Sequence, residues 1–237
     1  MERSISLIMP AYNEEEAIEF TVRSVKEKLK QHGFDYEILI FDDASNDQTG
    51  EIAEKLSAED PKIKIFHNSI NMNLGYNFAR GIEMASKTFV GLWPCHGLVT
   101  SKSLDYILPA MCKTDIVVGY IKNPEIRPRS RRIISKVNVI ILNLLFGFKL
   151  PYYHLNFYRT DQLKKVPTST VSYALMVELL VYLIASGADY IETPFFLRER
   201  LTGKSKALRL KNIINILKTY VRLFWQVRIL KKRISLN

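Results

Sequence analysis

Short apolar runs alternate with amphipathic segments over the first half of the chain, and this alternation constrains the fold more than any other feature. The runs Ser4–Pro10 and Tyr36–Phe41 predict buried strands, and the segment between them carries apolar residues at helical spacing as far as about Gln31. The later predicted elements are helices at about 49–56, 75–86 and 104–111 and strands at about 62–66, 89–93 and 116–119. This order predicts an α/β fold, with a mostly parallel central sheet and helices on both faces.

The chain beyond Gly119 departs from this regular order. An arginine-rich segment, 127–132, precedes a predicted apolar helix at about 133–146. The remaining predicted elements are a strand at 156–159, a helix at 174–186 and a strand at 190–196. With 237 residues, the chain is long enough for one such domain, and two complete domains would be cramped.

Asn13 predicts the start of the first helix. Asparagine is favoured at the N-cap position, and Glu16 follows three residues later, as in a capping box. We therefore expect the first helix to start here, with the Asn13 side chain accepting a hydrogen bond from its first turn.

Polar residues follow three of the predicted strands. They are Pro10-Ala11-Tyr12 after the first strand, Asp42-Asp43 after the second and Pro94-Cys95-His96 after the fourth. In mostly parallel sheets, ligands bind beyond the carboxyl ends of the strands. The three segments are therefore expected to meet at one edge of the sheet and to form a binding site there.

The composition limits the compartment. Two cysteines, Cys95 and Cys112, do not make a disulfide framework, so we expect a reducing environment. The first residues lead straight into an apolar run and leave no room for a signal peptide. No segment reaches the roughly 18–20 uninterrupted apolar residues of a transmembrane helix. The sequence predicts a cytoplasmic protein, either free in the cytosol or peripheral on the cytosolic face of a membrane.

The C-terminal segment is basic and amphipathic. Residues 198–237 hold twelve Lys and Arg against the single acid Glu199, whereas the formal charge of the whole chain is +10. Apolar residues recur at helical spacing from Leu210 to Phe224, and basic residues occupy most of the other positions. Such a helix either lies in a membrane interface or packs on the core with a solvated basic face. We expect a globular domain over 1–206 and a basic amphipathic helix over 207–237.

Six motifs, in order and at matching spacing, connect the chain to a known family. In the first half they are Ile8-Met-Pro-Ala-Tyr-Asn-Glu14, Ile40-Phe-Asp-Asp-Ala-Ser-Asn-Asp-Gln-Thr49 and Asn73-Leu-Gly-Tyr76. In the second half they are Arg131-Arg-Ile-Ile-Ser135, Glu178-Leu-Leu180 and Arg198-Glu-Arg-Leu-Thr-Gly-Lys-Ser-Lys206. Together they resemble family-2 glycosyltransferases, in the branch of dolichyl-phosphate mannose synthases and bacterial polyprenyl-phosphate glycosyltransferases. The resemblance implies the GT-A fold of nucleotide-diphospho-sugar transferases.

The resemblance also implies where a nucleotide-sugar of the UDP or GDP type binds. The family holds the nucleoside at the positions of Pro10, Ala11, Tyr12 and Glu14. An aromatic ring suits stacking on a base, and a carboxylate can accept from ring N–H groups or ribose hydroxyls. Asp42 and Asp43 match aspartates used for base or ribose contacts, and Asp43 is also a candidate catalytic residue. The alternative for this pair is a strand-to-helix turn in which Asp and Ser side chains cap a helix.

The segment after the fourth strand departs from the family pattern. Family members hold a divalent metal, Mn²⁺ or Mg²⁺, on an Asp-x-Asp motif there, and the metal neutralises the leaving diphosphate. Here the residues are Pro94-Cys95-His96, so His96 stands where the last aspartate is expected. Three roles are open for His96: a catalytic metal ligand, a cation that contacts the diphosphate, or a structural residue in a domain that has lost catalysis.

The late basic segment is expected to contact the donor phosphates. In the family this segment closes over the nucleotide-sugar, so we expect Arg198, Arg200 and Lys206 to bind it and Arg200 to act in catalysis. Glu178 is an acid within an apolar helix and is expected to have a buried partner, with these cations as candidates.

Arg131 and Ser135 are the predicted binding site for the acceptor phosphate. They lie one helical turn apart, and the resembling enzymes use such a pair to hold the lipid phosphate. A phosphate is already ionised at neutral pH, so it needs positioning and charge stabilisation more than a general base. Arg131 is accordingly a candidate catalytic residue. The alternative is a solvated basic loop.

The resemblance implies an inverting glycosyltransferase that moves a sugar from a nucleotide-diphosphate donor to a polyprenyl phosphate or another membrane-associated acceptor. The basic C-terminal helix would contact the membrane surface. The missing Asp-x-Asp motif favours a second interpretation, a catalytically impaired homologue that binds nucleotide-sugar or lipid as a partner subunit. A nucleotide-binding oxidoreductase is disfavoured, because no Gly-x-Gly-x-x-Gly follows the first strand. The acidic strand ends disfavour nucleic acid as a partner.

Overall fold

A computed structural model of the chain describes residues 2–199 and 210–236. Within these ranges the strands are β1 (Ser4–Ala11), β2 (Asp35–Asp42), β3 (Ile63–His67), β4 (Phe89–Leu92), β5 (Ile116–Ile121), β6 (Asn156–Arg159) and β7 (Tyr190–Phe195). The helices are α1 (Ile18–Gln31), α2 (Thr49–Glu59), α3 (Asn73–Met84), α4 (Leu104–Met111), α5 (Arg129–Phe146), α6 (Thr160–Leu163), α7 (Leu175–Ala185) and α8 (Leu210–Phe224), the last continuing into a π-helical turn, Trp225–Ile229. The predicted alternation of strands and helices is confirmed.

The strands of the described part form one sheet in the order β3-β2-β1-β4-β6-β5-β7. β1 pairs in parallel with β2 and β4, and the pairs β2–β3 and β5–β7 are also parallel. β6 is antiparallel to both of its neighbours, β4 and β5. The prediction of a mostly parallel sheet is confirmed. β2 and β3 are added on one side of β1, and β4 is added on its other side. Sheets of this kind form ligand-binding crevices at the point where the strand order switches sides.

The sheet has helices on both faces because its strands send apolar side chains into two separate clusters. In β2, Ile38 and Ile40 belong to one cluster, and Leu39 and Phe41 belong to the other. Helices α1, α2 and α4 contribute to the first cluster, and α3, α5, α7 and α8 contribute to the second. Burial on both faces explains why these strands are continuous apolar runs in the sequence.

One face of α8 packs on the core. Tyr220 and Leu223, together with Val227 of the π-helical turn, are buried in the second cluster. The Tyr220 hydroxyl donates to the side-chain oxygen of Asn138 in α5 at 3.1 Å, so the two helices are in direct contact. The core-packing interpretation of the C-terminal helix is therefore confirmed for this face. The boundary expected between residues 206 and 207 lies outside the described residues and stays a prediction.

The predicted capping box at Asn13 is wrong. α1 begins at Ile18, and its N-cap residue is Ala17, whose side chain makes no capping hydrogen bond. Asn13 has a positive φ of 54°, and its side-chain oxygen accepts a hydrogen bond from the backbone nitrogen of Asn46 at 2.9 Å. Asparagine tolerates this left-handed conformation better than most residues. Asn13 therefore turns the chain toward the loop after β2 instead of starting the helix.

Candidate active site

Strands β1, β2 and β4 bring the predicted polar segments to one edge of the sheet. Ala11, the last residue of β1, pairs with Asp42, the last residue of β2. β4 lies on the other side of β1 and ends at Leu92. The segments that follow these three strands therefore start from neighbouring positions, as the sequence predicted.

The loop after β1 is fastened to the loop after β2. The backbone nitrogen of Asn13 donates to the Ser45 hydroxyl at 3.0 Å, and that of Glu14 donates to the Thr49 hydroxyl at 2.8 Å. Tyr12, the residue before Asn13, is half-buried, as is Glu14. The loop predicted to hold the nucleoside is thus fixed by the chain's own hydrogen bonds before any ligand binds.

Asp43 is buried, and its carboxylate accepts three hydrogen bonds from within the chain. Oδ1 accepts from the side-chain nitrogen of Asn68 and from the backbone nitrogen of Met72, both at 2.8 Å, and Oδ2 accepts from the backbone nitrogen of Asn73 at 2.9 Å. Since α3 begins at Asn73, Asp43 caps the start of that helix, whereas the alternative interpretation placed the cap at the helix directly after the turn that follows β2. Its role in catalysis stays a prediction.

Asp42 is also engaged within the chain. Oδ1 accepts from the backbone nitrogen of Ser45 at 3.1 Å, and Oδ2 lies 3.1 Å from Nδ1 of His67. The two adjacent carboxylates are therefore stabilised by N–H groups of the protein. Their hydrogen bonds hold the turn after β2 in place beside the nucleoside loop.

His96 and Arg198 lie on either side of Gly97. The backbone nitrogen of Leu98 donates to Nδ1 of His96 at 3.2 Å. The Arg198 side chain donates from Nε to the Gly97 carbonyl, and its Cζ lies 4.5 Å from the centroid of the Phe20 ring. The structure thus brings two of the residues predicted to meet the donor diphosphate together at the end of β4.

Cys95 faces the core between these residues. Its thiol is buried and donates to the Met9 carbonyl at 3.7 Å, and its own carbonyl accepts from the Thr21 hydroxyl at 3.2 Å. Burial, and to a lesser extent the negative charge of Glu14, raises the pKa of the Cys95 thiol. The two hydrogen bonds of Cys95 hold the segment that follows β4 against Met9 of β1 and Thr21 of α1.

The predicted acceptor residues approach from the neighbouring part of the edge. Arg131 and Ser135 are half-buried and lie one turn apart near the start of α5. The segment before α5 is tied to the segment before Arg198, because the Asn123 side chain donates to the Leu197 carbonyl at 2.7 Å and accepts from the Leu197 nitrogen at 2.9 Å. The cations predicted for the two phosphates therefore lie on connected segments.

Arg127 stands beside an aromatic group in the same region. The ring centroids of Tyr152 and His154 are 5.4 Å apart in a T-shaped arrangement, and Tyr152 lies 5.8 Å from Phe195. Burial, followed by the positive charge of Arg127, lowers the pKa of His154 to about 4. His154 is therefore neutral at physiological pH, and Arg127 supplies the positive charge.

α5 and α8 present apolar side chains to solvent. α5 buries only Leu142 and Phe146. Its exposed apolar residues are Ile133, Ile134, Val137, Ile140, Ile141 and Leu144. Among residues 216–229 of α8 and the π-helical turn, whose side chains are described, the exposed apolar residues are Leu217, Val221, Trp225 and Ile229. We call these ten residues the apolar face. In the described parts of the chain, no helix has both the length and the apolar character needed to cross a bilayer.

A groove runs between the two helices beside the apolar face. Its volume is about 490 Å³. The apolar residues that line it include Leu144, Phe224 and Val227, and the basic ones are Arg228, Lys231 and Arg233. Apolar side chains next to cations match the chemistry of a lipid with an anionic head.

Comparison with known proteins decides the family. The sequence profile of the family described as "Glycosyl transferase family 2" matches residues 6–176. This range is well over half of the chain and includes the three segments that follow β1, β2 and β4. The chain belongs to glycosyl transferase family 2.

Three relatives match most of this family-2 chain. The undecaprenyl-phosphate mannosyltransferase of Micrococcus luteus is 26% identical over 212 residues, which cover 84% of this chain and 85% of the relative. The dolichol-phosphate mannosyltransferase of Pyrococcus furiosus is 27% identical over 232 residues, covering 94% of this chain and 64% of the relative. The polyprenol monophosphomannose synthase of Mycolicibacterium smegmatis is 26% identical over 214 residues, covering 84% and 79%.

Solved structures confirm the fold of this family-2 chain. The glucosyl-3-phosphoglycerate synthase of Mycobacterium tuberculosis in complex with Mn²⁺ and UDP-glucose superposes with a TM-score of 0.70 at 15% identity, covering 92% of this chain and 79% of the synthase. The same synthase with Mg²⁺ and UDP gives a TM-score of 0.68 at 14% identity, covering 94% and 79%. At this identity the likeness establishes the GT-A fold alone.

A divalent metal like the one in the synthase complexes does not fit the segment after β4 in this family-2 chain. Cys95 is buried with its thiol turned to a backbone carbonyl, and Nδ1 of His96 already accepts a hydrogen bond from Leu98. Among the described residues, no group of three or more His, Cys, Asp or Glu side chains is placed to hold a metal ion. The carboxylates of Asp42 and Asp43 are engaged by protein N–H groups or a histidine ring.

Two predicted site residues of this family-2 chain, Arg200 and Lys206, lie outside the described residues, and their roles stay predictions. The sequence analysis did not single out Phe20. The available signal was a phenylalanine on α1 outside the helical period of the buried residues Ile18, Val22 and Val25. The exposed face of α5 was also missed. The signal there is an excess of apolar residues over what one buried helix face can hold.

Proposed function

We propose that this protein is an inverting glycosyltransferase that moves a sugar from a nucleoside-diphosphate donor to a polyprenyl phosphate at a membrane surface. One observation carries the proposal: Arg198 and His96 at the end of β4, and Arg131 and Ser135 on α5, lie on segments joined through Asn123. The phosphates of donor and acceptor would then meet positive or N–H groups at adjoining positions, with the sugar between them.

The acceptor class is supported by the relatives. All three are named for a polyprenol phosphate and for mannose, so mannose is the first sugar to test. Arg131 is suited to a bidentate contact with a phosphate, and Ser135, one turn later, can add a hydroxyl donor. The groove between α5 and α8 would take the apolar chain of the lipid.

The donor is a nucleotide-sugar of the UDP or GDP type. Tyr12 supplies a ring for the base, and Glu14 supplies a carboxylate for ring N–H groups or ribose hydroxyls. Pro10 and Ala11 complete this wall at the end of β1. The fixed conformation of the nucleoside loop supports the proposal, because a preformed site loses less entropy when the ligand binds.

The reaction is a single displacement. An ionised oxygen of the acceptor phosphate attacks the anomeric carbon, and the bond from that carbon to the diphosphate oxygen breaks. The bonding electrons leave with the nucleoside diphosphate, so the anomeric configuration inverts and no proton has to move. The protein holds the two reactants in line and places positive charge beside the leaving diphosphate. No step is assigned to a divalent metal, because the residues after β4 do not fit one.

The membrane contact is made by the apolar face of α5 and α8. Exposed apolar residues stand beside Lys136, Lys218 and Arg228, which are also exposed. Apolar insertion together with attraction of basic residues to anionic lipid is how interfacial helices bind membranes. The protein would then be peripheral on the cytosolic face, with 207–237 supplying part of the contact and the domain over 1–206 supplying the catalytic site.

The loss of the Asp-x-Asp motif favours a second candidate, a non-catalytic subunit that binds nucleotide-sugar or lipid. The test is incubation of the purified protein with radiolabelled GDP-mannose or UDP-glucose and undecaprenyl phosphate in detergent micelles, followed by extraction of the labelled lipid. We expect labelled lipid, and we expect Arg131→Gln to lower kcat/KM at least about 100-fold. Arg129→Gln, an exposed arginine on the same turn, is the matched control. Nucleotide binding without transfer would favour the non-catalytic subunit.

A further inference from the structure

We infer that Phe20, on the first turn of α1, is a positioning residue for the donor diphosphate, and that it acts by holding the guanidinium of Arg198 beside the end of β4. The inference rests on the proposed function, since it concerns the same donor site. It adds to that site a residue that none of the six sequence motifs contains.

Phe20 is an exposed aromatic residue on a helix that buries its other apolar side chains. Its side chain is 56% exposed, whereas every other apolar residue of α1 is buried. The ring therefore contributes little to the core. Its face is used instead by Arg198, whose Cζ lies 4.5 Å from the ring centroid. A cation within about 6 Å of an aromatic centroid is attracted by the negative face of the ring.

The Arg198 side chain is held against Gly97 on its other side. Its Nε donates to the Gly97 carbonyl, and its backbone nitrogen donates to the Leu98 carbonyl at 2.9 Å. Gly97 has a φ of +63°, and a Cβ there would lie 2.5 Å from Nη2 of Arg198. The glycine therefore makes this close approach possible. Stacking on Phe20 uses the flat face of the guanidinium and leaves N–H groups on its edge for an anion.

The charge of Arg198 is not balanced by an acidic side chain. In residues 2–199 and 210–236, no Asp or Glu carboxylate forms an ion pair with this half-buried arginine. The segment 200–209 contains no Asp or Glu at all. A partly buried charge is stabilised by a partner of opposite sign. An anionic ligand would supply that partner, and the proposed function places a diphosphate at this end of β4.

The position of Phe20 relative to this site is fixed by its neighbour in α1. The Thr21 hydroxyl donates to the Cys95 carbonyl at 3.2 Å, so the first turn of α1 is bonded to the segment that follows β4. Phe20 cannot move away from Arg198 without straining this bond. The ring therefore orients the guanidinium before a ligand arrives, and less side-chain freedom is lost when the diphosphate binds.

The test measures binding of GDP and UDP to the full-length protein by calorimetry, with guanosine and uridine as the counterparts that lack the diphosphate. Phe20→Leu keeps an apolar side chain but removes the aromatic face. It should weaken binding of the nucleotide about three- to fivefold and binding of the nucleoside less than about 1.5-fold. Phe20→Tyr keeps the aromatic face and should bind the nucleotide within about twofold of the wild type. Equal losses for nucleotide and nucleoside would overturn the inference.

Arg198→Gln separates a positioning role of the ring from a direct contact. This variant should weaken binding of the nucleotide at least about tenfold. If the ring acts through the guanidinium, adding Phe20→Leu to Arg198→Gln should cost no more than about 1.5-fold. A further three- to fivefold loss in that background, or an unchanged affinity in Arg198→Gln alone, would contradict the assignment.

Tyr190→Leu is the matched control, because it removes an aromatic ring that is 38% exposed at the opposite end of β7 from Arg198. It should leave the nucleotide affinity within about 1.5-fold of the wild type. An equal loss in this variant would overturn the inference. Wild-type binding that Phe20→Leu leaves unchanged would overturn the inference alone, whereas absence of nucleotide binding in the folded wild type would overturn the proposed function, and the inference with it.

Discussion

Nη2 of Arg222 in α8 lies 3.6 Å from Oε1 of Glu178, a residue of α7 that is completely buried. Glu178 also accepts hydrogen bonds from the backbone nitrogen and the hydroxyl of Ser169. The buried acid thus has the partner that its sequence context predicts. The cation is supplied by α8, and no cation of the late Arg198–Lys206 segment appears among its described partners. The C-terminal helix is therefore fastened to the body by charge as well as by apolar packing.

Arg222→Gln should lower the free energy of unfolding by about 1–3 kcal/mol, because it leaves the buried Glu178 with fewer compensating donors. Urea unfolding measures the change. The double variant Arg222→Gln, Glu178→Gln should recover part of the loss, since a neutral amide is less costly to bury than an unpaired carboxylate. Equal destabilisation by the single and the double variant would contradict this explanation.

Gly97→Ala should raise the KM for the sugar donor at least about fivefold, because the new methyl group displaces the Arg198 guanidinium from Phe20. The matched control is Gly33→Ala. Gly33 has a similar φ of +65°, but a Cβ there meets no atom within 4 Å. Both variants should lose about 1 kcal/mol of stability from the backbone conformation. If Gly33→Ala raises KM as much, the contact with Arg198 is not the cause.

Stability should decrease as the pH falls from 6.5 to 4, in part because of His154. Its pKa is about 4 in the folded protein against 6.5 for an ordinary histidine, so in this window the unfolded chain binds a proton that the folded protein does not. The contribution is complete above pH 6.5 and is lost as pH approaches 4, with a slope of at most about 1.4 kcal/mol per pH unit. Urea unfolding at several pH values should show a shallower acid loss for His154→Gln. An identical slope would contradict the assignment.

Leu144→Ser combined with Val221→Ser should weaken binding to anionic vesicles at least about tenfold, because each exposed apolar side chain contributes about 1–2 kcal/mol when it enters the lipid interface. Flotation with vesicles of phosphatidylglycerol measures the bound fraction. Ile70→Ser is the control, since Ile70 is 65% exposed but lies outside α5 and α8. Unchanged flotation of the double variant would exclude the apolar face as the membrane contact.

The elements could be predicted because their signals are local. A run such as Ile38–Phe41 is apolar at every position since both of its faces are buried, and the resemblance then placed Tyr12 and Glu14 at the end of β1. The partners of Asp43 could not be predicted in the same way. They lie 25 to 30 residues further along the chain and meet it only after α3 has packed on the sheet.

The exposure of α5 is a second limit of the sequence. Periodicity shows which positions of a helix are apolar, but it does not show whether another element covers them. Leu142 and Leu144 are the same residue type two positions apart, yet the first is fully buried and the second is 79% exposed. The histidine at position 96, where the family has an aspartate, was visible in the sequence, whereas the hydrogen bond that its Nδ1 accepts from Leu98 was not.

The antiparallel strand β6 has a consequence for how the molecule is made. Among the described strands, β5 and β7 are connected to β4 through β6, which lies between β4 and β5. While the ribosome has released the chain only as far as about residue 150, β4 has an open edge and β5 has no neighbour with which to pair. Open strand edges promote association between chains. The nascent protein is therefore most exposed to aggregation during the synthesis of α5, the helix whose own surface is apolar, and this is the stage at which a chaperone would have most to protect.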